Sequence, residues 1–107
     1  MGLKELSLRP YHGRLFFTRS RKEYERQHKL LFKTPDVLSC AQCGRFTGGE
    51  GKDGMWTYLV YANEPHFIAH EMSHVVLHVF ERCGIDPISG NGEPFCYMLS
   101  QLILAAK

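Results

Sequence analysis

Short runs of aromatic and β-branched residues predict a small β-sheet. The first run, at residues 14–18, reads Arg-Leu-Phe-Phe-Thr and follows turn-favouring residues. The second, at residues 56–61, reads Trp-Thr-Tyr-Leu-Val-Tyr and is the strongest strand signal in the chain. A third short strand is predicted near residues 45–47, within a turn-rich segment at residues 36–54 that contains five glycines.

Capping residues and a helical spacing of apolar residues predict three helices. Ser20 and Glu23 form a capping box, which predicts a helix from there to about residue 33, where Thr34-Pro35 stops it. A second helix is predicted from residue 63 to residue 83, ending at Gly84, and a third from about residue 93 to residue 106. Apolar residues of the second helix fall on one broad face: Ile68, Met72, Val75, Val76, Val79, Phe80 and Cys83. The order β-α-β-β-α-α predicts a small α+β fold.

Composition places this chain among ordinary globular proteins. With 107 residues, of which 44% are hydrophobic and 22% charged, it has room for one compact domain over residues 1–107. The apolar run at residues 102–106 is far shorter than the roughly 20 residues that a membrane helix needs. The first residues also lack the apolar segment of a signal peptide, so we expect a cytoplasmic protein without a membrane partner.

The positive charge is concentrated in the first third of the chain. Residues 1–33 contain nine Lys or Arg and three Glu, a net +6, whereas residues 34–107 contain four and eight acidic residues, a net −4. On the first predicted helix, at residues 20–33, Lys22, Arg26, Lys29 and Lys33 form a basic stripe. This stripe indicates either contact with nucleic-acid phosphates or the ordinary solvent-facing side of a surface helix.

The four cysteines are expected to be reduced thiols or metal ligands, since no secretion signal accompanies them. Cys40 and Cys43 form a single CxxC knuckle, and Cys83 and Cys96 could complete a four-thiolate zinc site with them. The alternative places Cys83 and Cys96 in the core, because both fall among apolar helical positions, and leaves Cys40 and Cys43 to brace the glycine-rich loop or stay free.

The second predicted helix contains the HExxH motif, His70-Glu71-Met72-Ser73-His74. Positions i and i+4 lie on one helical face, so both imidazoles can reach a single Zn²⁺ ion. Glu71 is rotated by about 100° from His70 and can act as the general base on a zinc-bound water without being a ligand. The alternative is that His70 and His74 are surface histidines of a core helix and bind no ion.

A catalytic zinc site needs a third protein ligand. His78 continues the i, i+4 series, but it lies about 12 Å along the axis from His70, too far for a shared ion. The better candidate is Glu93, nineteen residues after His74 at the start of the last predicted helix.

The HExxH motif, followed by Asn91-Gly92-Glu93-Pro94-Phe95, resembles the glutamate-type zincin metallopeptidases. More narrowly, residues 54–104 are similar to small phage-encoded zincin-like proteins, which pair an HExxH helix with a Gly-Glu-Pro-x-x-Tyr segment. The resemblance implies a minimal zincin-like domain, with a short antiparallel or mixed sheet packed on the HExxH helix and an N-terminal and a C-terminal helix. It implies His70, His74 and Glu93 as zinc ligands, Glu71 as catalytic base, and a host cytoplasmic location for a phage protein. The strand at residues 56–61 would be the edge of a cleft that binds an extended peptide.

The chain also departs from this family. Where many relatives carry a carboxylate one turn after the ligand glutamate, it has Tyr97. Tyr97, Tyr61 and His78 are equal candidates for stabilising the oxyanion of a tetrahedral intermediate. The expected function is zinc-dependent peptide hydrolysis, with a catalytically silent, zinc-stabilised binding module for a host factor or nucleic acid as the alternative.

Overall fold

The computed structural model describes residues 2–39 and 43–107 and has an α+β architecture. A four-stranded sheet is packed between one helix on one face and two helices on the other. The strands are β1 (Leu3–Leu6), β2 (Arg14–Thr18), β3 (Gly44–Glu50) and β4 (Trp56–Ala62). The helices are α1 (Arg21–Phe32), α2 (Pro65–Cys83) and α3 (Glu93–Ala106), and a 3₁₀ turn (Ser89–Gly92) precedes α3.

Strand β4 is central in the sheet, whose order is β1-β2-β4-β3. It pairs in parallel with β2 and antiparallel with β3, and β1 pairs antiparallel with β2. The prediction that residues 56–61 form a cleft edge is therefore wrong, because both edges of that strand are hydrogen-bonded within the sheet. The edge strand beside it is β3, which begins at Gly44 and extends the predicted strand at residues 45–47 in both directions.

Side chains of β4 alternate between two separate cores. Tyr58, Val60 and Ala62 face α2 and α3, where they join the larger core with β1, β2 and the segment that links those two strands. Leu59 and Tyr61 face the other way and pack with Tyr24 of α1. Since both faces are covered, β4 is buried over almost its whole length, as is typical of a strand made almost entirely of aromatic and β-branched residues.

The predicted helix ends are confirmed. The Ser20 hydroxyl accepts a hydrogen bond from the backbone N–H of Glu23 at 3.2 Å, and the first helix ends just before Lys33 in a left-handed conformation. The Glu23 carboxylate does not return to Ser20; instead it accepts hydrogen bonds from Arg26 and Gln27. Gly84, at φ 71°, ends α2 as expected.

The predicted apolar face of α2 is buried from Ile68 to Phe80, but Cys83 and Cys96 are both exposed. Placing these two thiols in the core is therefore wrong. Cys83 is the last residue of α2, and Cys96 lies on the outer side of α3, whose buried residues are Met98, Leu102 and Ala106 at four-residue intervals. No helix of the described residues has the length and apolar character needed to cross a membrane.

Candidate metal centre

Helix α2 presents the two motif histidines on its exposed side, opposite its core face. His70 and His74 are both exposed, and their rings stand almost perpendicular, at 81°, with centroids 4.9 Å apart. Their Nε2 atoms are 3.3 Å apart. The i, i+4 spacing of the motif therefore brings the Nε2 atoms of the two rings close together.

The distance between the two Nε2 atoms can be compared with the distance between two nitrogen ligands of a tetrahedral zinc ion. Two imidazole nitrogens at about 2.0–2.1 Å from one tetrahedral ion lie roughly 3.3–3.4 Å apart. The observed Nε2–Nε2 distance of 3.3 Å falls in that range. The separation of the two Nε2 atoms is thus compatible with both imidazoles binding one metal ion.

Glu71 completes a compact group with the histidines. Ligand atoms of His70, Glu71 and His74 all lie within 4.8 Å of one another. Unlike the histidines, Glu71 is buried, with 7% of its surface exposed. Its carboxylate is directed under the start of β3, where a Cβ atom at Gly44 would lie only 2.8 Å from its Oε2. Gly44 therefore provides the space that the Glu71 carboxylate occupies.

Burial also changes the acidity of Glu71. Desolvation raises the pKa of this carboxyl above its ordinary value of 4.5, and Coulombic interactions with His70, His74 and Arg45 partly offset that rise. A carboxylate with a raised pKa accepts a proton more readily near neutral pH, which is the property required of a general base.

Strand β3 is held over this group from both of its faces. On the sheet face toward α2, the Phe46 ring stacks on His74 with centroids 5.7 Å apart. On the opposite face, Arg45 Nε donates to Asp36 at 2.9 Å, and the Tyr24 hydroxyl donates to the same carboxylate at 2.7 Å. These contacts fix the strand that lies beside the histidine pair.

His78 is part of the neighbouring aromatic cluster. Its Nδ1 lies 3.1 Å from the Tyr58 hydroxyl, and its ring stacks on Trp56 with centroids 5.6 Å apart. It does not belong to the metal-competent group, as expected from its distance along the helix.

Glu93 is exposed and is the first residue of α3, at the predicted start of the last helix. The group of ligand atoms within 4.8 Å of one another consists of His70, Glu71 and His74 and does not contain Glu93. The role of Glu93 as third ligand therefore stays a prediction.

The oxyanion candidates lie in three different environments. Tyr61 is buried in the core under α1, on the opposite face of the sheet from the histidines, so its candidacy is wrong. Tyr97 is 67% exposed on α3. His78 is half-buried and, together with His74 and Phe46, lines a cavity on the outer side of α2.

The sequence reasoning missed the three residues of β3 that line the cavity beside the motif. This cavity, of about 230 Å³, is bounded by Gly44, Arg45, Phe46, Glu71 and His74. The glycines of this segment are the signal that the sequence offers, because glycine within a strand often marks the close approach of another group, but they do not identify the group that approaches.

One cysteine of the predicted four-thiolate site, Cys40, lies outside the described residues. Cys43 is half-buried at the start of β3. Within residues 2–39 and 43–107, no cysteine belongs to a metal-competent group.

Comparison of the chain with protein-family models, with curated proteins and with solved structures gives no match. What can be said of its function therefore comes from the residues and geometry described above.

Proposed function

We propose that this protein is a zinc-dependent hydrolase that cleaves peptide bonds. The observation that carries the proposal is the 3.3 Å separation of the Nε2 atoms of His70 and His74 beside a buried Glu71. The HExxH motif and the Gly-Glu-Pro segment also favour a relationship to the glutamate-type zincins.

His70 and His74 would hold the ion, and Glu93 is the third ligand that we propose from its place in the sequence. Bound Zn²⁺ supplies a Lewis acid that polarises a carbonyl and makes water acidic near neutral pH. Glu71 would accept the proton of the attacking water, for which its burial and raised pKa suit it.

The proposed substrate is a peptide in extended conformation along β3. One edge of β3 pairs with β4, and in the described part of the chain no strand pairs with the other edge. An exposed edge can add a peptide strand through backbone hydrogen bonds. Because Gly44 and Phe46 contact Glu71 and His74, a peptide on that edge would run past the histidine pair.

Substitution of Glu71 tests the catalytic role separately from metal binding. We expect Glu71→Gln to bind zinc as wild type does and to lose at least about a hundredfold in peptide hydrolysis, the scale of general-base catalysis. Glu64→Gln is the matched control, because it removes the same charge from an exposed residue at the N-cap of α2. Hydrolysis by Glu71→Gln at the wild-type rate would contradict the general-base role of Glu71, whereas wild type that binds zinc and cleaves no peptide would favour a zinc-stabilised binding module.

A second candidate activity, nucleic-acid binding, is favoured by the surface of α1. Lys22, Arg26, Lys29 and Lys33 are all exposed, and in the described residues only Arg26 among them forms an ion pair, with Glu23. If this face binds nucleic acid, affinity will fall steeply with salt and on reversal of these charges. Affinity that is insensitive to both would exclude it.

A further inference from the structure

A groove continues from the candidate metal centre toward the C-terminal end of α2. It encloses about 640 Å³ between α2 and the loop that follows it. Phe46 and His74 line both this groove and the smaller cavity at Glu71. A side chain of a substrate bound at the histidine pair can therefore enter the groove directly.

Part of the groove wall is apolar. Leu77 lies one turn from His74 and is 44% exposed, although it is a large hydrophobic residue on a helix with a well-packed core face. Ile85 and Pro87 line the groove from the loop after α2. These surfaces can cover an aliphatic chain of several methylene groups.

Two carboxylates, Glu81 and Asp86, also line the groove. Within residues 2–39 and 43–107, neither forms an ion pair. Asp86 Oδ1 accepts a hydrogen bond from the backbone N–H of Ile88 at 3.1 Å, which holds the carboxylate in place. The neighbouring Arg82 is turned away, with its guanidinium carbon 4.4 Å from the centroid of the Trp56 ring. Because the C-terminal end of α2 adds its own negative potential, this end of the groove favours a cation.

We infer that the groove binds the side chain of a lysine or arginine of the substrate peptide. The aliphatic stem would lie against Leu77 and Ile85, and the cationic group would reach Glu81 and Asp86. A purely apolar side chain would gain no electrostatic attraction from the two carboxylates, and an acidic one would be repelled. This inference rests on the proposed function, since it assigns the specificity of the same site.

The test compares peptides that differ at one position. Zinc-loaded protein is given a series of extended peptides in which arginine, norleucine or glutamate is moved in turn through each position. We expect one position at which the arginine peptide has a kcat/KM at least about tenfold above the norleucine peptide, which corresponds to about 1.4 kcal/mol. Equal values for arginine and norleucine at every position, with cleavage present, would overturn the inference.

Substitution in the groove then links the preference to the carboxylates. We expect the kcat/KM values of the arginine and norleucine peptides to differ by no more than about twofold in Glu81→Gln/Asp86→Asn. In Glu81→Lys, we expect kcat/KM to rise for the glutamate peptide relative to the arginine peptide. Glu81→Lys alone keeps the turn at Asp86 intact, and it replaces the double variant in the test if that variant does not fold. An unchanged ratio of these kcat/KM values in folded variants would overturn the inference. Glu64→Lys is the charge-matched control, because it changes the net charge by the same amount at an exposed residue outside the groove.

A binding measurement separates this inference from the proposed function. If zinc-loaded wild type cleaves none of the peptides, the hydrolase proposal fails, and fluorescence anisotropy of the same labelled peptides still reports on the groove. Tighter binding of the arginine peptide that is lost in Glu81→Lys would uphold the cationic specificity. Equal binding of all three peptides, or none, would contradict it.

Discussion

The three residues of the candidate centre differ in exposure, and their proposed roles follow from that difference. His70 and His74 lie on the exposed side of α2, where an ion can reach both Nε2 atoms. Glu71 follows His70 directly, so the helical rotation carries its side chain under β3 and into a buried position. Adjacent residues of one helix thus provide both an exposed metal-binding pair and a desolvated carboxylate.

Burial of Glu71 leads to a pH dependence of stability in the metal-free protein. Because its pKa is raised in the folded state above 4.5, folding favours the protonated form, and stability decreases as the pH rises above about that value. Glu71→Gln removes the ionisable group and therefore also removes this decrease in stability. We therefore expect metal-free Glu71→Gln to unfold at a higher temperature than wild type at pH 7, with the difference vanishing below about pH 4.5. Thermal unfolding across this range measures it, and a difference that grows toward low pH would contradict the sign.

Two glycines of β3 provide a matched pair for testing the contact with Glu71. A Cβ atom at Gly44 would lie 2.8 Å from Glu71 Oε2, whereas one at Gly49 meets nothing within 4 Å. We expect Gly44→Ala to reduce hydrolysis by displacing the Glu71 carboxylate and to cost about 1 kcal/mol in unfolding free energy, because the nearest atom it meets ends a flexible side chain. Gly49→Ala should stay within about 0.5 kcal/mol of wild type in the same denaturation experiment. Equal behaviour of the two variants would show that Glu71 is not held against β3.

Among the elements, α2 combines the core and the candidate site in one helix. Its buried residues from Ile68 to Phe80 pack on the sheet and on α3, while its other side presents the histidines and, further along, Glu81. The direction and length of α2 therefore determine where the groove ends.

The end of α2 is set by Gly84, whose φ of 71° is unfavourable for any residue with a Cβ. No atom lies within 4 Å of the position that a Cβ would take there, so the cost of a substitution is conformational. We expect Gly84→Ala to lower the unfolding free energy by about 1–2 kcal/mol, measured by chemical denaturation. A cost below that of Gly49→Ala would contradict the assigned role of Gly84.

Local signals in the sequence predicted most elements, and what they missed depends on tertiary pairing. Ser20 predicted the start of α1, and Gly84 and the apolar spacing predicted α2, because caps and periodicity act within a few residues. Strand β1 went unpredicted, because Leu3–Leu6 is half polar and becomes a strand only by pairing with β2. The position of β3 at the sheet edge follows from strand order, which no local pattern encodes.

The candidate site shows the same division between local and tertiary information. Spacing within one helix predicted that His70, Glu71 and His74 would come together. The contribution of Gly44 and Phe46 could not be predicted, because it depends on which strand lies beside α2. Glu93 is separated from the motif by a loop whose course is set by tertiary packing, so spacing alone does not place its carboxylate.

In the whole molecule, the sheet separates two chemically different faces. The basic residues of α1 lie on one side of the sheet, and α2, with the histidine pair and the acidic groove, lies on the other. The basic stripe of α1 and the two carboxylates of the groove thus lie on opposite sides of the sheet. A basic peptide would be attracted to the groove face and repelled by the α1 face.

The most direct test of the central claim is the zinc content of the purified protein and two histidine variants. Wild type should bind one Zn²⁺ per chain, and zinc at a hundred times its dissociation constant should add about 2.7 kcal/mol to the unfolding free energy. His74→Ala should lose both the ion and this stabilisation. His66→Ala, which removes an exposed histidine from the first turn of the same helix, should keep both. Zinc binding that is equal in His74→Ala and wild type, or absent from all three proteins, would contradict the account.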